Sequence, residues 1–257
     1  MANWCSEDKE FYFEVSSGNI PGHTANNITA YNDDITTAIK TVGAYGAGTI
    51  YVWPTAATID YLSSDSASDT HEITIIGLDS NYEKVVQVIT LTGITPVAID
   101  TPIMRVNHFL NDTSTATVGT IFLWDSPSGN GTEHTLGVPD VDSTVKASID
   151  INIGGGTISD EHHMSTIFTV PANKTAYVVF GKATVSDAKS LELTFWVRKV
   201  GKVFLQSHHI DIKDNNYDYF FKLPGRLEEK SDIEVRATVD VGTAEVSAHY
   251  DIVAVDF

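Results

Sequence analysis

The residues best equipped for chemistry in this chain are clustered histidines and carboxylates. Asp160-Glu161-His162-His163 sets two acids beside two imidazoles, and His208-His209-x-Asp211 repeats the combination. Imidazole and carboxylate can hold zinc-like ions, and the same pair can move protons. On a strand, neighbouring side chains point to opposite faces. His209 and Asp211 can therefore share an ion, while His208 cannot easily join them. A full ligand set would need groups from distant segments, so the plainer expectation is packed or exposed histidines, with no metal and no cofactor. A third acidic stretch, Ser63 to Thr70 (SSDSASDT), offers Asp65 and Asp69 to calcium. It lacks the glycine and closing glutamate of an EF-hand loop, and Asx and Ser turns account for it more simply.

Other signatures of catalysis do not occur. There is no G-x-S-x-G, no H-E-x-x-H, and no phosphate-binding glycine loop after a strand. Gly154-Gly155-Gly156 is followed by neither a helix nor a Lys-Ser/Thr pair and reads as a turn. Paired carboxylates for glycoside cleavage are available throughout so acidic a chain, which makes them uninformative. Trp4, Trp53, Trp124 and Trp196 sit on or beside strand patterns and read mainly as core or interface anchors, with sugar stacking as the other use of such rings. The expectation is a protein that is not an enzyme.

The elements that would carry these residues are strands. Thr70 to Leu110 runs HEITIIGLD, SNYE, KVVQVITLTG, ITPVAID, TPIMRVNHFL. β-branched residues recur there with a period near two between polar turns, which predicts an antiparallel meander. Glu10 to Ser16, Thr49 to Trp53, Thr117 to Trp124, Ala147 to Ile153, Thr175 to Val185, Ser190 to Val200 and Lys202 to Ile212 read the same way. Tyr217 to Leu223 is an aromatic strand closed by a Pro224-Gly225 turn. Asp232 to Val239 and Thr243 to Val255 predict a terminal hairpin whose last strand, poor in charge, is central. Only Ile35 to Gly43, after Asp33-Asp34, suggests a helical turn. The fold expected is all-β, two β-sandwich or jelly-roll-like domains with little helix. The Pro- and Gly-rich stretch from Gly129 to Ser143 predicts domains over 1–137 and 138–257, with a break at Gly154 to Glu161 as the alternative.

Composition narrows the partners. With 34 acidic and 16 basic residues among 257, the formal charge is -18, a field that repels phosphate backbones, so no nucleic acid is expected. The single Cys5 excludes an internal disulfide. No window approaches about 18 consecutive apolar residues, so no membrane span is expected. MANWCSEDKEF lacks a basic region and an apolar run, which predicts synthesis in a cytoplasm without a signal peptide. The sequons at Asn27, Asn111, Asn130 and Asn173 then go unused. Trp4, Phe11 and Phe13 near the N-terminus are candidate interface anchors, since terminal aromatics make effective hot spots; filling a local core is their other use.

The segments IPGHTANNITAYNDDITT, TIYVWPTAA, SSDSASDT, ITIIGLDSNYEKVVQVITLTG, TPIMRVNHFL, FTVPANKTAYVV and EKSDIEVRA together resemble virion structural proteins of tailed bacteriophages, notably marine and cyanobacterial ones. Those relatives often carry an A-G-T-G-A stretch after the Ser/Asp turn, where this chain passes directly from Thr70 to His71. The resemblance implies a particle component made in the host cytoplasm. It would be a capsid decoration or cement protein, or else a neck, tail or fibre piece, possibly with a carbohydrate- or receptor-binding face. It implies the major capsid protein or other virion proteins as partners, and a homo-oligomer, by analogy a trimer at quasi-threefold positions. A sugar-binding face would show an exposed aromatic platform, with Trp196 or Tyr217 to Phe221 as the candidates. A hydrolase would instead show a concave pocket with converging histidines and carboxylates. No catalytic residue is carried over.

Overall fold

Period-two alternation, sustained almost to the last residue, folds this chain into an all-β protein. The computed structural model describes residues 9–45, 50–113, 115–150, 162–186, 189–213 and 216–257. Its strands are β1 (His23–Ile35), β2 (Lys40–Thr41), β3 (Ile59–Ser64), β4 (Glu72–Leu78), β5 (Lys84–Thr90), β6 (Val97–Ile103), β7 (Arg105–Leu110), β8 (Ile121–Asp125), β9 (His134–Thr135), β10 (Val138–Pro139), β11 (Val145–Ile149), β12 (Phe168–Thr169), β13 (Lys174–Val185), β14 (Leu191–Arg198), β15 (Leu205–Ile212), β16 (Asn216–Leu227), β17 (Asp232–Val239) and β18 (Ala244–Asp256). Among the described residues, helix is confined to α1 (Lys9–Ser16) and a 3-10 turn at Asp142–Thr144.

Two sandwiches result. The first faces the sheet β11-β8-β3-β6 against β5-β4-β7. Its core takes Leu62, Ile121 and Leu123 from one sheet and Ile73, Ile75 and Phe109 from the other. The second faces β1-β18-β13-β16 against β12-β17-β14-β15, with β2 added on β17. Strand β18 shows why it forms: Ala244, Val246, Ala248, Tyr250 and Ile252 alternate into the core, while Glu245, Ser247, His249 and Asp251 turn outward. Beyond Ile252 the outer face becomes apolar as well. There Val253 and Val255 pack with Tyr177 and Val179 beneath α1, whose Val15 closes the cluster. A strand apolar on both faces is a strand covered on both faces, and β18 is central as its low charge predicts, flanked by β1 and β13.

The expected division at residue 137 does not match the pairing. Strand β11 lies beyond it yet pairs with β8, and β1 lies far before it yet pairs with β18 from His23↔Val255 to Ile35↔Ala244. The first sandwich is therefore inserted between β2 and β12. The Pro/Gly-rich stretch is a loop inside it, and the first and last strands, β1 and β18, meet in the other. Several local expectations change for related reasons. Thr70 to Leu110 is not a simple meander, because β6 crosses to pair with β3 before β7 returns to β4. β17 and β18 belong to opposite sheets and form no hairpin. Ile35 to Gly43 is not helical; its Thr-rich sequence ends β1 and contributes β2. Residues 50–53 are not a strand, since the Tyr51 amide donates to Thr41 Oγ1 at 2.9 Å rather than to a ladder. Pro224-Gly225 lies inside the edge strand β16, at the irregularity opposite Val178 and Phe180, where a missing N–H is tolerated.

Candidate functional site

The N-terminal aromatics come first. Trp4 lies outside the described residues. Phe11 and Phe13 sit on α1, not on the strand that their alternation suggests. A segment of seven residues satisfies either period, and burial decides. Phe11 and Val15, four apart, share the face that packs on β13 and β18, whereas Phe13 points away and is 64% exposed. The missed signal was Gly18. It takes φ 73° just past the helix, and Asn19 N–H donates to the Glu14 carbonyl at 2.9 Å, which is a Schellman stop. The structure thus separates the candidate anchors: Phe11 fills a local core and Phe13 faces outward.

The acidic turn is structural. Asp69 is fully buried and accepts from the Val118 and Gly119 amides at 2.7 and 2.9 Å and from Ser64 Oγ at 2.6 Å. Asp65 accepts from the Thr120 amide at 2.9 Å. These carboxylates tie two loops together, and both oxygens of Asp69 are engaged. Among the described residues no group of three or more His, Cys, Asp or Glu side chains could hold a metal ion. Asp160 and Glu161 fall outside the described residues. His162 and His163 line a crevice of about 310 Å³ between β1 and β7, together with His108. His163 Nδ1 lies 3.0 Å from the Ser148 carbonyl oxygen, and burial lowers its pKa to about 4.

The tryptophans resolve into framework. Trp124 is buried and donates to Ser63 Oγ at 3.1 Å. The Arg236 guanidinium lies over the Trp196 ring, 4.4 Å from its centroid. Trp53 anchors the junction of the two sandwiches. Arg105 and Arg198 each lie 5.2 Å from its ring centroid, and its Nε1 donates to buried Glu234 at 3.1 Å. Both arginines converge on Asp232, Arg105 Nε at 2.7 Å and Arg198 Nε at 2.9 Å, and Thr169 Oγ1 donates to the same carboxylate at 2.7 Å. Arg105 also donates to the Pro54 carbonyl at 2.7 Å. Nearby, the Asn107 amide exchanges two 2.9 Å bonds with the Thr169 backbone. Residues of β7 and β12, one from each sandwich, are thereby held as if paired.

Two surfaces stand out among the described residues. Strand β5 is the edge of its sheet, and Val86 and Val88 turn outward from it, 57% and 53% exposed. Their cross-strand neighbours Ile76 and Thr74 continue the face onto β4. The other surface is a cleft of about 370 Å³ in the mouth of the second sandwich, between its edge strands β15 and β16. Tyr217 and Tyr219 lie near-parallel there, with centroids 6.2 Å apart at 14°. Phe221 meets Tyr219 edge-on at 4.9 Å and His208 at 5.5 Å. Of the two aromatic platforms anticipated from sequence, Tyr217 to Phe221 is the one that opens onto a cavity. His209, on the other face of β15, pairs with Asp211 at 3.1 Å as its spacing predicts.

No protein-family model matches the chain, and no curated protein matches it significantly. Among solved structures the chain is similar to infectious bursal disease virus, Gt strain, at 11% identity and a TM-score of 0.21, covering 96% of this chain and 78% of that one. It is also similar to the VP2 subviral particle of infectious bursal disease virus, at 10% identity and a TM-score of 0.19, covering 96% and 82%. Likenesses of this size carry no argument about fold or role.

Proposed function

We propose that this chain is a structural protein of a tailed-bacteriophage particle, a decoration protein that seats on the head shell as a homo-oligomer and acts by binding rather than turnover. The observation that carries this reading is the outward valine face of β5. An apolar, β-branched face left exposed on a sheet is a surface suited to contact. The buried bonds at the junction favour the two sandwiches presenting that face as one stiff unit. The resemblance in sequence supplies the setting, and the acidic surface suits a protein that must stay soluble before assembly.

The test is copy number together with incorporation. In purified particles that contain this chain, on the order of hundreds of copies are expected for decoration of a symmetric shell, against roughly a dozen for a neck ring and fewer for a fibre. Val86→Asp with Val88→Asp should fold normally yet vanish from particles, because a stable contact buries roughly 1,600 Å² and does not admit unpaired carboxylates at its centre. Particles that lack the chain, or that incorporate the double variant at the normal level, would refute the reading.

A further inference from the structure

The cleft between β15 and β16 is kept open by small residues beside large ones. Across the sheet, Tyr219 pairs with Gly181 and Gly181 with Tyr250; in the next inward row Tyr217 pairs with Ala183 and Ala183 with Ala248. Interiors normally close such gaps to near-crystalline density. Here a Cβ on Gly181 would lie 3.8 Å from Phe221 and 4.0 Å from the His249 carbonyl, ordinary contact distances, so the position has room for a side chain and does without one. The result is an aromatic chamber with phenol and imidazole groups at its mouth.

We propose that this chamber binds a neutral saccharide unit. A pyranose has an apolar C–H face suited to the Tyr217–Tyr219 pair, and hydroxyls that both donate and accept, as His208 and the tyrosine hydroxyls do. At the rim of the cleft stand Lys182, paired with Asp218 at 4.0 Å, and Arg226. The chain's charge of -18 opposes acidic sugars. A purely apolar ligand would desolvate the imidazole and phenol groups without replacing their hydrogen bonds. The volume lies in the range of small-molecule sites. Sugar capture is a property of the isolated chain, so it stands or falls separately from incorporation into a particle.

The experiment is ligand-observed saturation-transfer NMR on the full chain, with methyl glycosides of glucose, galactose, mannose and N-acetylglucosamine. Sialic acid serves as the anionic probe and tetramethylammonium as the cationic one. At least one neutral glycoside should receive transfer. Its binding should weaken about tenfold in Tyr219→Ala, which removes one ring of the platform, or in Gly181→Val, which fills the chamber from the neighbouring strand. Circular dichroism and melting identify which variants are folded. Absence of transfer to every neutral glycoside, tighter binding of sialic acid or tetramethylammonium, or undiminished neutral binding in the folded variants would overturn the proposal.

Discussion

The junction of the sandwiches and the cleft of the second sandwich are built from similar parts. Each gathers aromatic rings around nitrogen-bearing side chains, and the strands β12 and β15 that flank them are the two edges of one sheet. At the junction, Arg105 and Arg198 both lie against the Trp53 ring and both donate to Asp232, Arg105 also to backbone carbonyls. At the cleft, Tyr217, Tyr219 and Phe221 meet one another and His208 around an open volume. Aromatic and basic residues close a structure when the protein supplies the acceptors, and they face outward when it does not. Composition alone cannot separate the two outcomes; the placement of one buried carboxylate does.

Asp232→Ala breaks the comparison at its strongest point. Asp232 and Arg105 are 2% and 4% exposed, so removing the carboxylate leaves the Arg105 guanidinium without its counter-ion away from water, with the half-buried Arg198 beside it. A loss of about 3–5 kcal/mol is expected in urea or thermal unfolding, with Asp232→Asn smaller because it keeps one acceptor. A change below about 1 kcal/mol would mean that the junction is not a lock.

The junction has a second part, the crevice between β1 and β7, which sharpens the contrast through pH. Burial pulls the pKa of His163 down from 6.5 to about 4, against the Ser148 carbonyl that favours the charged ring, and His162 and His108 lower it further. The unfolded chain takes up this proton near pH 6.5 and the folded chain only near 4. Stability contributed by neutral His163 is therefore full above pH 6.5 and is lost as pH falls toward 4. Melting temperatures at pH 7, 6, 5 and 4 should fall more steeply for the parent than for His163→Asn, with the difference between the curves changing only in that window. Parallel curves would assign the acid sensitivity to other groups.

Much of the strand content was legible in the sequence, because period two is a local signal and β13, β14, β15 and β18 carry it over eight to thirteen residues. Pairing was less legible. That β1 closes onto β18, making the first sandwich an insertion, depends on contacts more than 200 residues apart such as Asn27 Nδ2 to Asp251. No local pattern encodes that distance. The helix at Lys9–Ser16 was misread because FYFEV fits a strand as well as a helix, and only the glycine stop distinguished them. The aromatic run from Tyr217 to Phe221 stood out in the sequence; the cleft beside it did not, since it is created by Gly181, Ala183 and Ala248 from two other strands.

The smallest expected effect tests the other side of the comparison. Tyr219 is 44% exposed, and its ring touches Tyr217 and Phe221 rather than the packed interior. Truncating it removes aromatic contacts worth about 0.5–1.5 kcal/mol at most, and because no buried polar partner is stranded no desolvation penalty follows. Tyr219→Ala should therefore unfold within about 1 kcal/mol of the parent, several-fold less than Asp232→Ala, measured in the same urea series. A loss as large as that of the junction variant would make Tyr219 part of the frame, and the open mouth would then be a packing defect covered by a structural ring rather than a surface held ready for a ligand.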